Sequence, residues 1–182
     1  MDGAKVYANL YIPSTLSGQA GDLPLTIRQT TDYPLDGRVT LAVDPARAGR
    51  FDLMLRIPEW AGPRTRIAIN GRPFAGAARP GTFAALSRVW RPGDVVTLDL
   101  DMTPRLESLD ATHPQVSALL TGPLVLLPVG GAKARPARAA WLTPERRGAT
   151  EWIVRSPDGD LTLKPFMAIQ DETYRLYSEI LA

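Results

Sequence analysis

The stretch Phe51-Asp52-Leu53-Met54-Leu55-Arg56-Ile57 places Phe51, Leu53, Leu55 and Ile57 at every second position. Strand side chains alternate with a period of two, so these four share one face and pack together, whereas a helix would scatter them around its axis. Val39-Thr40-Leu41-Ala42-Val43 and Ile67-Ala68-Ile69 repeat the pattern, as does the run from Val96 to Met102. Weaker strand signals lie at Tyr7 to Ile12, Leu25 to Arg28, Phe83 to Leu86, Leu124 to Leu127, Ile153 to Val154 and Leu161 to Leu163.

Turn chemistry separates these runs. Asn70-Gly71 tolerates positive φ at both centres of a type I′ hairpin turn. Arg91-Pro92-Gly93-Asp94 offers the proline and glycine of a type II turn, and Asp158-Gly159 is a further hairpin signal. Strands follow one another without room for crossover helices, which predicts an all-β, antiparallel, jelly-roll-like β-sandwich with a loop-rich C-terminal extension. Residues 1–128 read as the sandwich. Residues 129–182 read as a linker loop and C-terminal strands that either complete it or begin a partial second one. The segment from Gly130 to Gly148, with Lys133, Arg135, Arg138, Arg146 and Arg147 among prolines, has no periodicity and reads as a surface loop. Glu172 to Leu181 fits a loose helix and a terminal strand equally.

Composition bounds the chemistry. The chain of 182 residues has 17 prolines, 15 glycines and 45% hydrophobic residues, a turn-rich globular make-up. With no cysteine there are no disulfides, thiolate metal sites or cysteine nucleophiles. A net charge of +2 provides no field for nucleic acid. No apolar run is long enough to span a bilayer, and Met1-Asp2-Gly3-Ala4 does not open a signal peptide, so the chain reads as soluble. Cytoplasmic and exported locations, as part of a longer protein, both remain open.

His113 is the sole histidine and precedes Pro114, which excludes a histidine-pair metal site and favours a loop role. There is no Gly-x-Ser-x-Gly elbow to pair with it. Asp99 and Asp101, two apart on a strand, would project from one solvent-facing side about 7 Å apart, a spacing open to glycosidase chemistry. Solvated carboxylates are poor general acids, so a solvated face is the reading preferred, with cation binding or cross-strand pairing with an arginine as the alternatives. Asp158-Gly159-Asp160 lacks the remaining ligands of a calcium loop. Of Trp60, Trp90, Trp141, Trp152 and Tyr33, the rings of Tyr33, Trp60 and Trp90 are the candidates for sugar contact; capping the core is the competing role. No catalytic, metal-binding or cofactor-binding residue is assigned, and no cofactor is expected.

The words Tyr7-Ala8-Asn9-Leu10-Tyr11-Ile12-Pro13-Ser14, Gln29-Thr30-Thr31-Asp32-Tyr33-Pro34-Leu35-Asp36-Gly37 and Leu55-Arg56-Ile57-Pro58-Glu59-Trp60-Ala61 occur in order. Ile69-Asn70-Gly71, Ser87-Arg88-Val89-Trp90-Arg91-Pro92-Gly93-Asp94 and Thr121-Gly122-Pro123-Leu124-Val125-Leu126 follow them. Together they resemble the non-catalytic β-sandwich region of glycoside hydrolase family 127, the β-L-arabinofuranosidase family. Lys164-Pro165-Phe166 and Asp171-Glu172-Thr173-Tyr174 resemble that family's chain end. The resemblance implies a separate (α/α)₆ barrel carrying a cysteine nucleophile, a zinc held by cysteines and a glutamate, and an acidic proton donor. With no cysteine here, none of those positions carries over. The expected role is a non-catalytic accessory module without enzymatic activity of its own, partnered by that barrel or by a second copy. The alternative is a stand-alone carbohydrate-binding module for a plant-type glycan, with no nucleic-acid or membrane partner. Leu35 stands where the family pattern would often place tryptophan, which weakens an aromatic platform at that loop.

Overall fold

In a computed structural model that describes residues 4–181, the Phe51–Ile57 stretch lies in the middle strand of a three-stranded sheet. Met1–Gly3, where the absence of a signal peptide was read, lie outside the described residues. The chain divides into two compact units, one through Met102 and one from Thr103.

In the first unit the strands are β1 (Lys5–Ala8), β2 (Ser14–Ala20), β3 (Leu23–Thr31), β4 (Arg38–Pro45) and β5 (Gly49–Ile57), followed by β6 (Arg66–Ile69), β7 (Arg72–Pro73), β8 (Thr82–Trp90) and β9 (Asp94–Asp99). They form two sheets, ordered β1-β5-β8 and β2-β3-β4-β9-β6-β7. Phe51, Leu53, Leu55, Ile57, Leu86 and Trp90 from the small sheet join Leu25, Ile27, Val39, Leu41, Val43, Val96 and Leu98 from the large one in a single buried cluster. This is a sandwich core, and the period-two alternation supplies it directly.

Asn70 and Gly71 have φ of 51° and 75°, and Ile69 pairs with Arg72 across the hairpin. A type I′ turn needs both angles positive, which asparagine and glycine allow at least cost. At Arg91–Asp94 the Asp94 amide donates to the Arg91 carbonyl at 3.1 Å with Gly93 at φ 83°. This turn carries the chain from one sheet to the other rather than closing a hairpin. One pairing departs from the antiparallel expectation: β1 runs parallel to β5, with Val6 opposite Leu53. A parallel pair needs a long connection, and β2, β3 and β4 of the opposite sheet supply it. The strand signal at Tyr7 to Ile12 therefore ends at Ala8, beyond which Tyr11 turns into the core.

In the second unit the elements are β10 (Arg105–Ser108), β11 (Val116–Thr121), β12 (Leu124–Pro128), α1 (Arg138–Trp141), β13 (Glu145–Arg146), β14 (Trp152–Val154), β15 (Leu161–Pro165) and β16 (Ser178–Glu179). Their sheet is ordered β10-β11-β12-β15-β14-β13, with β16 also paired to β11. The expected boundary after residue 128 thus gives way to a division after Met102, because β12 pairs with β15 and keeps β11 with the C-terminal strands. Asp158-Gly159 does sit in the β14–β15 hairpin, where Val154 pairs with Leu161. The segment from Gly130 to Gly148 is more than a surface loop. It contains α1, and Trp141 at its end is 1% exposed. Glu172 to Leu181 forms no helix; it is an irregular arm that ends in β16. Among the described residues no helix is long and apolar enough to cross a membrane.

Candidate functional site

Of the three rings expected at a sugar surface, the fold brings two together. Tyr33, in the turn after β3, and Trp60, in the turn after β5, are both half-buried. Their centroids lie 6.4 Å apart with planes 15° from parallel. The Ala61 amide closes the second turn on the Pro58 carbonyl at 3.1 Å. Behind them Tyr11 is edge-on to Tyr33, with centroids 6.0 Å apart, and donates its hydroxyl to the Arg56 carbonyl. Burial pushes the Tyr11 phenol well above its ordinary value, against the opposing Arg56 charge, and burial raises Tyr33 likewise. Both phenols therefore stay neutral; Tyr11 is buried as a backing ring, and the half-buried Tyr33 and Trp60 are the rings left to make apolar contact.

Trp90 does not belong to this surface. It is 0% exposed, stacks on Phe51 with centroids 5.6 Å apart, and donates its indole Nε1–H to the Phe51 carbonyl at 3.1 Å. It ends β8 at an inward position of the strand, so its ring fills the core. The expectation of sugar contact at Trp90 is corrected accordingly.

Asp99 and Asp101 also part company. Asp99 stays at the surface and accepts from Arg38 Nε at 2.7 Å. The strand ends at Asp99, alternation stops, and Asp101 is buried beside Leu100. Its carboxylate accepts from the Arg64 backbone N at 3.0 Å and from the Arg64 guanidinium. It anchors a loop and does not face solvent. His113 sits in an exposed turn after β10, where Asp110 Oδ1 accepts from the backbone N of both Thr112 and His113 at 2.8 Å. Hydrogen bonds from the Thr112 and His113 side chains, foremost, hold the Asp110 carboxyl below its usual value. Asp160, in the β14–β15 hairpin, is paired with Arg155. Among the described residues no group of three or more His, Asp or Glu is placed to hold a metal ion.

An apolar surface went unread in the sequence. Leu10, Ile12, Leu16 and Tyr7 are 68%, 57%, 50% and 53% exposed. They line a cavity of about 310 Å³ with Val6 and Ile27 on its walls. Phe83 of β8 extends the patch, edge-on to Tyr7 with centroids 5.3 Å apart. Gln29, buried in β3, donates its side-chain amide to the Leu10 and Ile12 carbonyls at 3.0 and 2.6 Å and so fixes the rim. The available signal was Leu10, Ile12 and Leu16, three large aliphatics at even positions leading into a strand whose other side chains are mostly polar.

Residues 5–102 match the family described as Beta-L-arabinofuranosidase, GH127 middle domain. A non-reducing end beta-L-arabinofuranosidase of Bifidobacterium longum subsp. longum is 33% identical over a 133-residue alignment that covers 68% of this chain and 19% of that protein. A solved glycoside hydrolase has 25% identity and a TM-score of 0.77 over 97% of this chain and 36% of its own. A GH127 beta-L-arabinofuranosidase from Geobacillus stearothermophilus T6 superposes with a TM-score of 0.80 at 22% identity, over 97% of this chain and 34% of its own. The chain thus spans about a fifth of the curated relative and about a third of these solved structures. Its sandwich corresponds to the family's non-catalytic middle domain, and the catalytic barrel lies outside the matched region. The chain belongs to glycoside hydrolase family 127, as an accessory β-rich part of a GH127-like protein.

Proposed function

We propose that this chain is a scaffold for a GH127 catalytic barrel and that it docks through the Tyr7, Leu10, Ile12, Leu16 and Phe83 surface. The single observation that carries this reading is a contiguous exposed apolar patch on a unit whose own core is already closed. Soluble domains rarely leave such a patch uncovered. Its rim is held by Gln29, so the patch is preformed, and a preformed support stiffens the loops that position groups in a sugar pocket. The family supports the barrel of a β-L-arabinofuranosidase as the occupant.

The test mixes the 182-residue chain with the catalytic barrel of a GH127 relative made without its own sandwich. The two are expected to co-elute, and the barrel to gain turnover of an aryl β-L-arabinofuranoside. Leu10→Asp with Leu16→Asp should abolish both effects. Failure to co-elute, co-elution indifferent to those substitutions, or hydrolysis by the chain alone overturns the reading. Self-association lost in the same variant would assign the patch to a homodimer instead.

The Tyr33 and Trp60 pair favours a second reading, a carbohydrate-binding module for a plant-type glycan. Affinity electrophoresis on arabinan tests it: retardation lost in Trp60→Ala supports it, and free migration of the unmodified chain rejects it.

A further inference from the structure

The second unit contains a cavity of about 290 Å³ that neither reading uses, lined by Lys133, Arg135, Trp141, Arg175, Tyr177 and Ser178. Its walls are tied down by the backbone. Arg138 N donates to the Leu181 carbonyl at 3.0 Å, Ile180 N to Gln115 at 2.7 Å and Arg175 N to Pro128 at 3.2 Å. The C-terminal arm is thereby held against the segment before α1, and the cavity is a feature of the fold.

Donors dominate the lining. Arg135 is matched by Glu179 at 3.6 Å. Arg175 spends Nε on Ser178 Oγ and Nη1 on the Ala132 carbonyl, both at 3.1 Å, which orients the guanidinium and leaves Nη2 to spare. Lys133 has no ion-pair partner among the described residues. The indole Nε1 of Trp141 is buried without a protein acceptor among the described residues. Buried donors are ordinarily satisfied, so this one calls for an acceptor. With one carboxylate against three cations, the lining carries a net positive charge and attracts an anion. Tyr177 supplies an exposed apolar face that a bare inorganic ion would leave unused.

We propose that this cavity binds a sugar acid, with the carboxylate between Lys133 and Arg175 Nη2 and the ring carbons against Tyr177. The Ser178 and Ala132 bonds already fix the guanidinium, which lowers the cost of ordering it around a carboxylate. The site is separate from the apolar patch of the first unit, so it stands or falls independently of the docking role.

Calorimetric titration of the 182-residue chain with sodium D-galacturonate tests the assignment, beside its neutral methyl ester and sodium sulfate. Saturable one-to-one binding is expected, with Kd on the order of 1 mM. It should weaken about tenfold or more in Arg175→Gln and measurably in Lys133→Ala, whose side chain is exposed and whose loss leaves folding intact. The methyl ester should bind far more weakly. The assignment is overturned if galacturonate does not saturate, if the ester binds equally, if Lys133→Ala binds as the unmodified chain does, or if sulfate binds as tightly as the sugar acid.

Discussion

Asp101 and Arg64 form an asymmetric pair: the Asp101 side chain is 5% exposed and that of Arg64 is 71% exposed. The carboxylate accepts from the Arg64 backbone N at 3.0 Å, from Nε at 3.3 Å and from Nη2 at 3.2 Å. The Gly62 amide donates to the Asp101 carbonyl at 3.0 Å, and Thr65 Oγ1 accepts from the Asp101 amide at 3.1 Å. An exposed guanidinium contributes little through charge alone, so the backbone bond carries most of the value.

Asp101→Ala is therefore expected to destabilise the first unit by about 1–3 kcal/mol, by stranding donors in a buried loop. Arg64→Ala should cost less than about 1 kcal/mol. Urea unfolding midpoints compare the two, and equal losses would contradict this division of labour.

A β-carbon at residue 62 would lie 2.3 Å from Asp101 Oδ2. Gly62→Ala is expected to destabilise the unmodified chain and to cost distinctly less in the Asp101→Ala background. The double-mutant cycle reads this coupling directly.

Asn70 supports its turn twice. Its side-chain Nδ2 donates to Asp94 Oδ1 at 2.7 Å, and its Oδ1 accepts from Val95 N at 2.8 Å. Asn70→Ala loses both bonds and places alanine at φ 51°. A loss of about 2–4 kcal/mol is expected from the stranded polar groups and the strained backbone together. Thermal unfolding measures it.

Trp90→Ala should cost about 3–5 kcal/mol, since the ring is wholly buried. Trp60→Ala, from a half-exposed turn, should cost markedly less. Guanidinium unfolding separates these, and a Trp60 loss as large as that of Trp90 would place Trp60 in the core.

Glu172 pairs with Lys164, and its Oε2 accepts from the Gln170 amide at 2.8 Å. The Lys164 hydrogen bond, foremost, and the backbone amides of Gln170 and Glu172 hold its carboxyl down from 4.5 to about 2. A folded-state value below the unfolded one stabilises above the unfolded pKa and fades as pH falls toward the folded one. The arm should accordingly loosen between about pH 4.5 and 2. Protection of the amides near Gln170, taken relative to their intrinsic exchange rate at each pH, should fall across that window in the unmodified chain, whereas Glu172→Gln should lack the transition there.

Much of the sandwich was legible because alternation is a local record of burial. Phe51 to Ile57 and Val39 to Val43 state which face is apolar, and Asn70-Gly71 states where the chain reverses. Asp94 shows the limit of that rule. It occupies an inward position of β9 among apolar residues. Burial raises its carboxyl, but the Asn70 side chain, the Arg91 amide and the Arg88 and Arg91 charges outweigh this and leave it lowered. Arg88 and Arg91 lie in the stretch just before it, but Asn70 comes from the β6–β7 turn, and no local pattern records that partner.

By itself the sequence determined the all-β class, the principal strands, the type I′ turn and the family, since each rests on spacing or on residue identity along the chain. Tertiary structure alone decided that Trp90 lies in the core while Trp60 meets Tyr33, that Asp101 is buried while Asp99 is not, and that β11 and β12 belong with the C-terminal strands. The physical reason is that burial, pairing partner and ring contact depend on which distant segments arrive at a residue. Period-two alternation fixes the face of a strand but not what is laid against it.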